Sequence, residues 1–272
     1  EEKFDKTITW SEWFLYAAPF SIIMSIVLFF IMIKLIKPET DVIEGGKEVI
    51  AKQLAELGPL KGSEIRLIII SITLLFLWAT EGALHPFDTT TVTIIAIALL
   101  LAPKIGVYSW SEVERLIPWG TIIVFSVGIA LGSVLLNTQG AQWLSDTTFG
   151  TLGLDSMPLL ATIAVVTLFN ILIHLGFASA TSLASALIPV FIVLASTITA
   201  DGDQQIGFVL IQQFVISFGF LLPISAPQNM LAYGTGAFTT KDFLKSGIPL
   251  TIIAYILVMI FSATYWQWIG LL

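Results

Sequence analysis

Two polar interruptions in the apolar second half of the chain carry the residue types that can hold a charged solute. The first is His174-Leu175-Gly176-Phe177-Ala178-Ser179-Ala180-Thr181-Ser182, and the second is Pro223-Ile224-Ser225-Ala226-Pro227-Gln228-Asn229. Each falls where a helix would run unbroken through lipid. A bilayer core offers no water to bare backbone groups, so a break persists there only inside protein or beside a wet cavity. At the first break one apolar arm ends near Phe177 and another starts near Ser182. The N-terminal end of the second arm offers N–H groups to an anion. The C-terminal end of the first arm offers carbonyls to a cation. Ser179, Thr181 and Ser182 add hydroxyls. The second break repeats the arrangement with Ser225, Gln228 and Asn229, while Pro223 and Pro227 keep carbonyls out of the helical ladder. Gly234 and Gly236 permit close approach in the half-helix that follows. One such break is accounted for by Ser and Thr bonding back to their own helix and by Pro or Gly kinking it. Two in one repeat-sized segment point to a solute site near the membrane midplane.

Other chemistry is sparse. No Lys, Arg, Asp or Glu lies within the core of a predicted span, which argues against a carboxylate-relay pump and disfavours a sodium/proton exchanger. His174 is the one histidine inside a span, with Asn170 a turn earlier as its candidate partner; the plain reading is a packing histidine. A hydrolytic cluster of His174, Ser179 and Asn170 fails on spacing, because His174 and Ser179 lie five apart and off one helical face. No Gly-x-Ser-x-Gly or metal-ligand pattern accompanies them. The absence of cysteine excludes disulfides and thiolate metal sites.

The elements that must position these groups are membrane spans. Hydrophobic residues make up 56% of the chain and charged residues 11%, and several apolar runs approach the ~20 residues a crossing needs. An N-terminal segment and first span cover residues 1–36, the span itself being Trp13–Ile36. A polar linker follows over 37–64, broken by Gly45-Gly46 and Gly58-Pro59, with Glu48–Leu57 as a short amphipathic helix. Residues 65–272 form the remaining unit. It holds spans at Arg66–Thr80, Thr89–Ala102 and Trp119–Leu136, and an interfacial helix at 108–117. It continues with a hairpin at 157–199, a broken helix at 205–238 and a final helix at 248–269. Gly128 and Gly132, four apart, are helix-packing positions.

Basic residues orient the spans. With the linker on the cytoplasmic side, all of the 12 Lys and Arg except Lys3 and Lys6 fall inside. The connections 137–156 and 200–204 fall outside and carry no Lys or Arg. The tip 176–182 also lacks basic residues, which favours a hairpin dipping in from outside over two full crossings. No basic, aromatic-laced surface suggests nucleic acid.

At the two breaks the chain resembles the divalent anion/sodium symporter family of the ion transporter superfamily. The resemblance is carried by Gly176-Phe177-Ala178-Ser179-Ala180-Thr181, by Leu222-Pro223-Ile224-Ser225-Ala226-Pro227-Gln228-Asn229, and by Tyr233-Gly234-Thr235-Gly236. Pro118-Trp119-Gly120 and Lys241-Asp242-Phe243-Leu244-Lys245-Ser246-Gly247 add support. It implies an all-α polytopic protein of the inner membrane, here the C-terminal inverted repeat of an elevator-type transporter with a re-entrant hairpin and an unwound helix. It implies transport of a di- or tricarboxylate or sulfate-like anion, and a homodimer. Substrate contact falls on Ser179, Ala180, Thr181, Ser225, Ala226, Pro227 and Asn229, and sodium, if bound, on Ala178, Ala180 and Ser225. The chain begins at Glu1 without Met and is expected to lack the N-terminal repeat of the same transporter. Ala180 stands where the family has asparagine, and Ala226 where it has threonine. Losing the amide removes a donor and an acceptor and resembles the exchanger branch, which works without sodium. The rival readings are another superfamily carrier of sodium/proton or arsenite type, an intramembrane enzyme, and a scaffold subunit that would need no paired breaks.

Overall fold

The computed structural model describes residues 8–36, 45–177 and 179–272. Among them all regular structure is helical, and the helices group into two compact units. Five stretches are long and apolar enough to cross a membrane: Trp10–Leu35, Gly62–Ala79, Leu159–Gly176, Ala180–Ile198 and Thr240–Trp268.

One unit comprises Lys6–Leu15 and Pro38–Pro118. It holds the start of α1 (Trp10–Leu35), then α2 (Gly46–Leu57), α3 (Gly62–Ala79), α4 (Thr89–Leu101) and α5 (Trp110–Val113). The start of α1 is tied to the end of α3, where the Ser11 hydroxyl donates to the Ala79 carbonyl at 2.7 Å and Trp10 meets Trp78. α3 packs on α4, joined by Trp78 Nε1 donating to Thr93 Oγ1 at 3.2 Å. No residue of α3 is buried. Its exposed Ile68, Ile69, Ile72 and Phe76 form a face too apolar for water and suited to lipid. The interfacial helix expected over 108–117 contracts to the single turn of α5. Ser109 and Glu112 box its start, but Pro118 disfavours helical backbone at Ile117 and the chain leaves in turns.

α4 begins at Asp88, whose carboxylate accepts from the Thr91 amide and hydroxyl, each at 2.8 Å. The backbone bond from Thr91, then its hydroxyl, holds the Asp88 carboxyl below the usual aspartate range. A carboxyl depressed on folding stabilises above its unfolded pKa and loses that contribution as pH falls through the folded value. The first turn of α4 is therefore expected to lose protection from hydrogen exchange on acidification below the ordinary aspartate range. Asp88→Asn, which keeps a cap but cannot titrate, should remove the pH step; exchange mass spectrometry of the segment 86–95 measures it.

The other unit comprises Tyr16–Lys37 and Trp119–Leu272. It holds the rest of α1, then α6 (Trp119–Asn137), α7 (Gly140–Phe149), α8 (Leu159–Ile173) and α9 (Ala180–Ile198). α10 (Gly202–Ile216), α11 (Pro227–Gly234), α12 (Thr240–Ala263) and α13 (Tyr265–Trp268) complete it. α9 lies at the centre, packed by α6, α7 and α10; α10 and α12 also pack on α8. Gly128 and Gly132 do serve close packing: a Cβ on Gly128 would overlap the Ser185 hydroxyl, and one on Gly132 would sit 3.1 Å from Pro189. Phe20 of α1 stacks on Phe218 and meets Phe261 and Trp266, and Trp266 Nε1 donates to the Tyr16 carbonyl at 3.0 Å.

Three expectations change here. The connection 137–156 contains α7, whose buried face is Ala141, Ser145 and Phe149; two small residues out of three leave no apolar stripe to read. α10 ends at Ile216, well before Pro223, where the sequence places the break in the 205–238 helix. α11 ends at Gly234, short of Phe238, and a Thr239–Asp242 capping box starts the final helix at Thr240 instead of 248.

Candidate functional site

Both sequence breaks are breaks in the helices. α8 tightens into a 3-10 turn at His174–Gly176 and α9 restarts at Ala180. Ser179 caps α9, its hydroxyl accepting from the Ser182 amide at 3.3 Å. Ala180 and Thr181 are the first two residues of that 19-residue helix, so their amides have no partner in the helical ladder. Thr181 is half-buried, and its hydroxyl has no hydrogen bond among the described residues. Ala178 lies outside the described residues.

The second break is longer than the sequence suggested. Residues 217–222 form a non-helical strap held by tight turns, with the Gly219 amide donating to the Ser217 carbonyl and the Phe220 amide to the Phe218 carbonyl. Large apolar side chains hid it, because Phe218, Phe220, Leu221 and Leu222 continue the hydropathy of the span. Pro223–Ser225 make a 3-10 turn, and Pro227 is the first residue of α11, with Ala226 as its cap. Ser225 and Ala226 are buried, Asn229 is half-buried and Gln228 exposed.

Gly219 is where the two breaks meet. A Cβ there would lie 3.2 Å from His174 Cε1 and 3.2 Å from Ser225 Cβ. Asn229 Nδ2 donates to the Gly219 carbonyl at 2.9 Å. His174, Ser225 and Asn229 are thus brought around one backbone unit. Ser179 and Thr181 are not joined to Ser225 or Asn229 by any hydrogen bond among the described residues.

Asn170 is not the partner of His174. Its amide donates to the Gln212 carbonyl at 3.0 Å and to Gln212 Oε1 at 3.3 Å, and Gln212 Nε2 donates to Thr167 Oγ1 at 3.1 Å. All three side chains are fully buried between α8 and α10. Sequence reading missed Gln212, whose signal was an amide in the middle of an apolar segment. The enzyme-like cluster dissolves with this: Asn170 is committed to Gln212, and Ser179 caps a helix. Among the described residues no group of three His, Asp or Glu could hold a metal ion. A separate cavity of about 240 Å³, lined by Ser145, Asp146, Phe149, Leu154, Leu194 and Thr197, lies between α7 and α9 and includes no break residue.

Several helices fit to cross a membrane, with two of the apolar stretches broken, define a polytopic membrane protein. The profile described as the sodium:sulfate symporter transmembrane region matches residues 1–272, and the chain belongs to that family. The family is one of transporters, not enzymes, and the chain is a multi-pass protein of the inner membrane. A membrane protein of Cupriavidus necator is 46% identical over 97% of this chain and 51% of its own length. The sodium-dependent dicarboxylate transporter SdcS of Staphylococcus saprophyticus is 24% identical over 96% of the chain and 51% of its own. The L-tartrate/succinate antiporter of Escherichia coli is 26% identical over 98% and 53%. The chain spans about half the length of these curated relatives.

Proposed function

We propose that the chain is the C-terminal repeat of an elevator-type secondary transporter for a dicarboxylate-like anion, with sulfate or tricarboxylates in the same class. The observations that carry this reading are that two helices restart after polar breaks, α9 at Ala180 and α11 at Pro227, and that the two breaks meet where His174 and Ser225 flank Gly219. Helix N-termini attract anions, and Thr181 adds a hydroxyl at the first. Substrate is assigned to Ser179, Ala180, Thr181, Ser225, Ala226, Pro227 and Asn229, with the missing half of the site on an N-terminal repeat. Segment 157–199 acts as the hairpin and 205–238 as the broken helix. They move together past the other spans, tethered by the linker 37–64 and the segment 108–117, in a homodimer. A dicarboxylate is named for a sodium-dependent relative, and tartrate and succinate for an antiporter; the coupling is sodium symport or carboxylate exchange. Sodium, where it binds, takes carbonyls near Ala178, Ala180 and Ser225.

The test is uptake of labelled succinate by proteoliposomes of the full-length protein, preloaded with unlabelled succinate, with external sodium replaced by choline. With alanine at position 180, uptake is expected to persist. Collapse would mean sodium symport through backbone carbonyls, and no uptake of succinate, citrate, tartrate or sulfate in either medium would overturn the anion reading. Thr181→Val removes one hydroxyl bond to a charged group, about 1.5–3 kcal/mol. Uptake efficiency should fall roughly 10- to 100-fold with an unchanged elution profile. Wild-type rates in that variant would remove Thr181 from the site.

A further inference from the structure

α2 presents a face that no described residue of its unit covers. No residue of the helix is buried. Ile50, Leu54 and Leu57 recur at four- and three-residue spacing, on one side of the helix, and are 66%, 67% and 75% exposed. Glu48, Lys52 and Glu56, four apart, line the opposite side. Two glycines set the helix off from its neighbours: Gly45 and Gly58 cap it at φ of 70° and 69°, a backbone conformation that turns the chain sharply and that other residues resist.

What lies against that face follows from the tether. Only four residues, Gly58–Lys61, separate Leu57 from α3, so the C-terminal end of α2 stays within about 17 Å of the start of α3. α3 is a helix fit to span the membrane, and its first turn therefore stands at the bilayer surface. The end of α2 held closest to that surface is also its most apolar, through Leu54 and Leu57 with Leu60 just beyond, 65% exposed. We propose that α2 is a membrane-surface helix whose Ile50–Leu54–Leu57 face inserts into the lipid interface. Lys47 and Lys52 are balanced by Glu48 and Glu56. Attraction to anionic headgroups is therefore weak, and the apolar side chains drive the seating. The partner is lipid of any headgroup charge, and the binding does not depend on which solute is carried.

The experiment uses the full-length protein in phosphatidylcholine vesicles, with an environment-sensitive fluorophore on single cysteines at positions 50, 54, 57, 48, 52 and 56. This chain has no cysteine of its own, and any in the remainder of the protein are changed to serine. Labels at 50, 54 and 57 are expected to be quenched several-fold more by doxyl-labelled lipid than labels at 48, 52 and 56. Aqueous iodide should give the reverse order, and added phosphatidylglycerol should leave both patterns unchanged. Iodide quenching of all six alike would place the helix in water. Shielding of 50, 54 and 57 from both quenchers would mean that protein covers the face, from the other repeat or a second copy. A pattern appearing only with phosphatidylglycerol would mean electrostatic capture. Each of these three results overturns the proposal, and none bears on succinate uptake.

Discussion

Gly247→Ala is expected to abolish transport and to lower the thermal unfolding midpoint of the purified protein. α12 passes so close to the strap at residue 247 that a Cβ would overlap the Phe220 carbonyl oxygen and lie 3.0 Å from its carbon. Both sides of that contact are fixed: one is helix and the other is main chain, so no rotamer change relieves it. Overfilling a packed site costs about 1–3 kcal/mol, and backbone meeting backbone belongs at the upper end. The displaced element is the strap that brings Gly219 against His174 and Ser225, so the damage reaches the site directly. Gly234→Ala is the control, since nothing lies within 4 Å of a Cβ there. Circular dichroism melts and succinate exchange on the same preparations check both halves of the prediction. A Gly247→Ala protein with wild-type exchange would mean that the strap can move without consequence.

The second large effect is at Asn229, and its sign separates two roles. The Asn229 amide donates to the Gly219 carbonyl at 2.9 Å. Asn229→Ala leaves that carbonyl without its donor, which for a buried group costs about 1–3 kcal/mol. Asn229→Asp does worse, because it turns a charged acceptor toward an acceptor. The expected order of thermal stability is wild type, then Ala, then Asp, with exchange activity in the same order and the Asp variant more than roughly tenfold down. If Asn229 acted only on substrate, both variants would lose activity and neither would lose stability.

His174 shows where local pattern and tertiary contact diverge. The sequence marked it as the lone histidine within a span and offered Asn170, one turn away, as its partner. Helical spacing made that pairing reasonable, but Asn170 turned instead to Gln212, from a segment 42 residues on. A side chain's partner across a helix interface depends on which faces meet, and that is not written in either helix alone. The strap was concealed for a related reason. Hydropathy measures affinity for lipid and not helicity, so Ser217–Leu222 reads as span although Gly219 and the close approach to α12 let the backbone leave the helix. α7 went unread because its buried face is small residues, which a helix at a tight interface requires and hydropathy does not reward.

The sequence by itself determined that this chain lives in a membrane and that two polar breaks interrupt its helices. Those are local consequences of transfer energy, capping and proline, and each needs only a few neighbouring residues. The family followed from the same motifs, with alanine at 180 and 226 visible as departures. Only the tertiary structure decided that the breaks meet at Gly219, that Asn229 ties itself to the strap, and that Gln212 claims Asn170. Such contacts join residues far apart in the chain, and their geometry is set by how helices pack around small residues such as Gly128 and Gly247, a property of the assembled unit and of no segment within it.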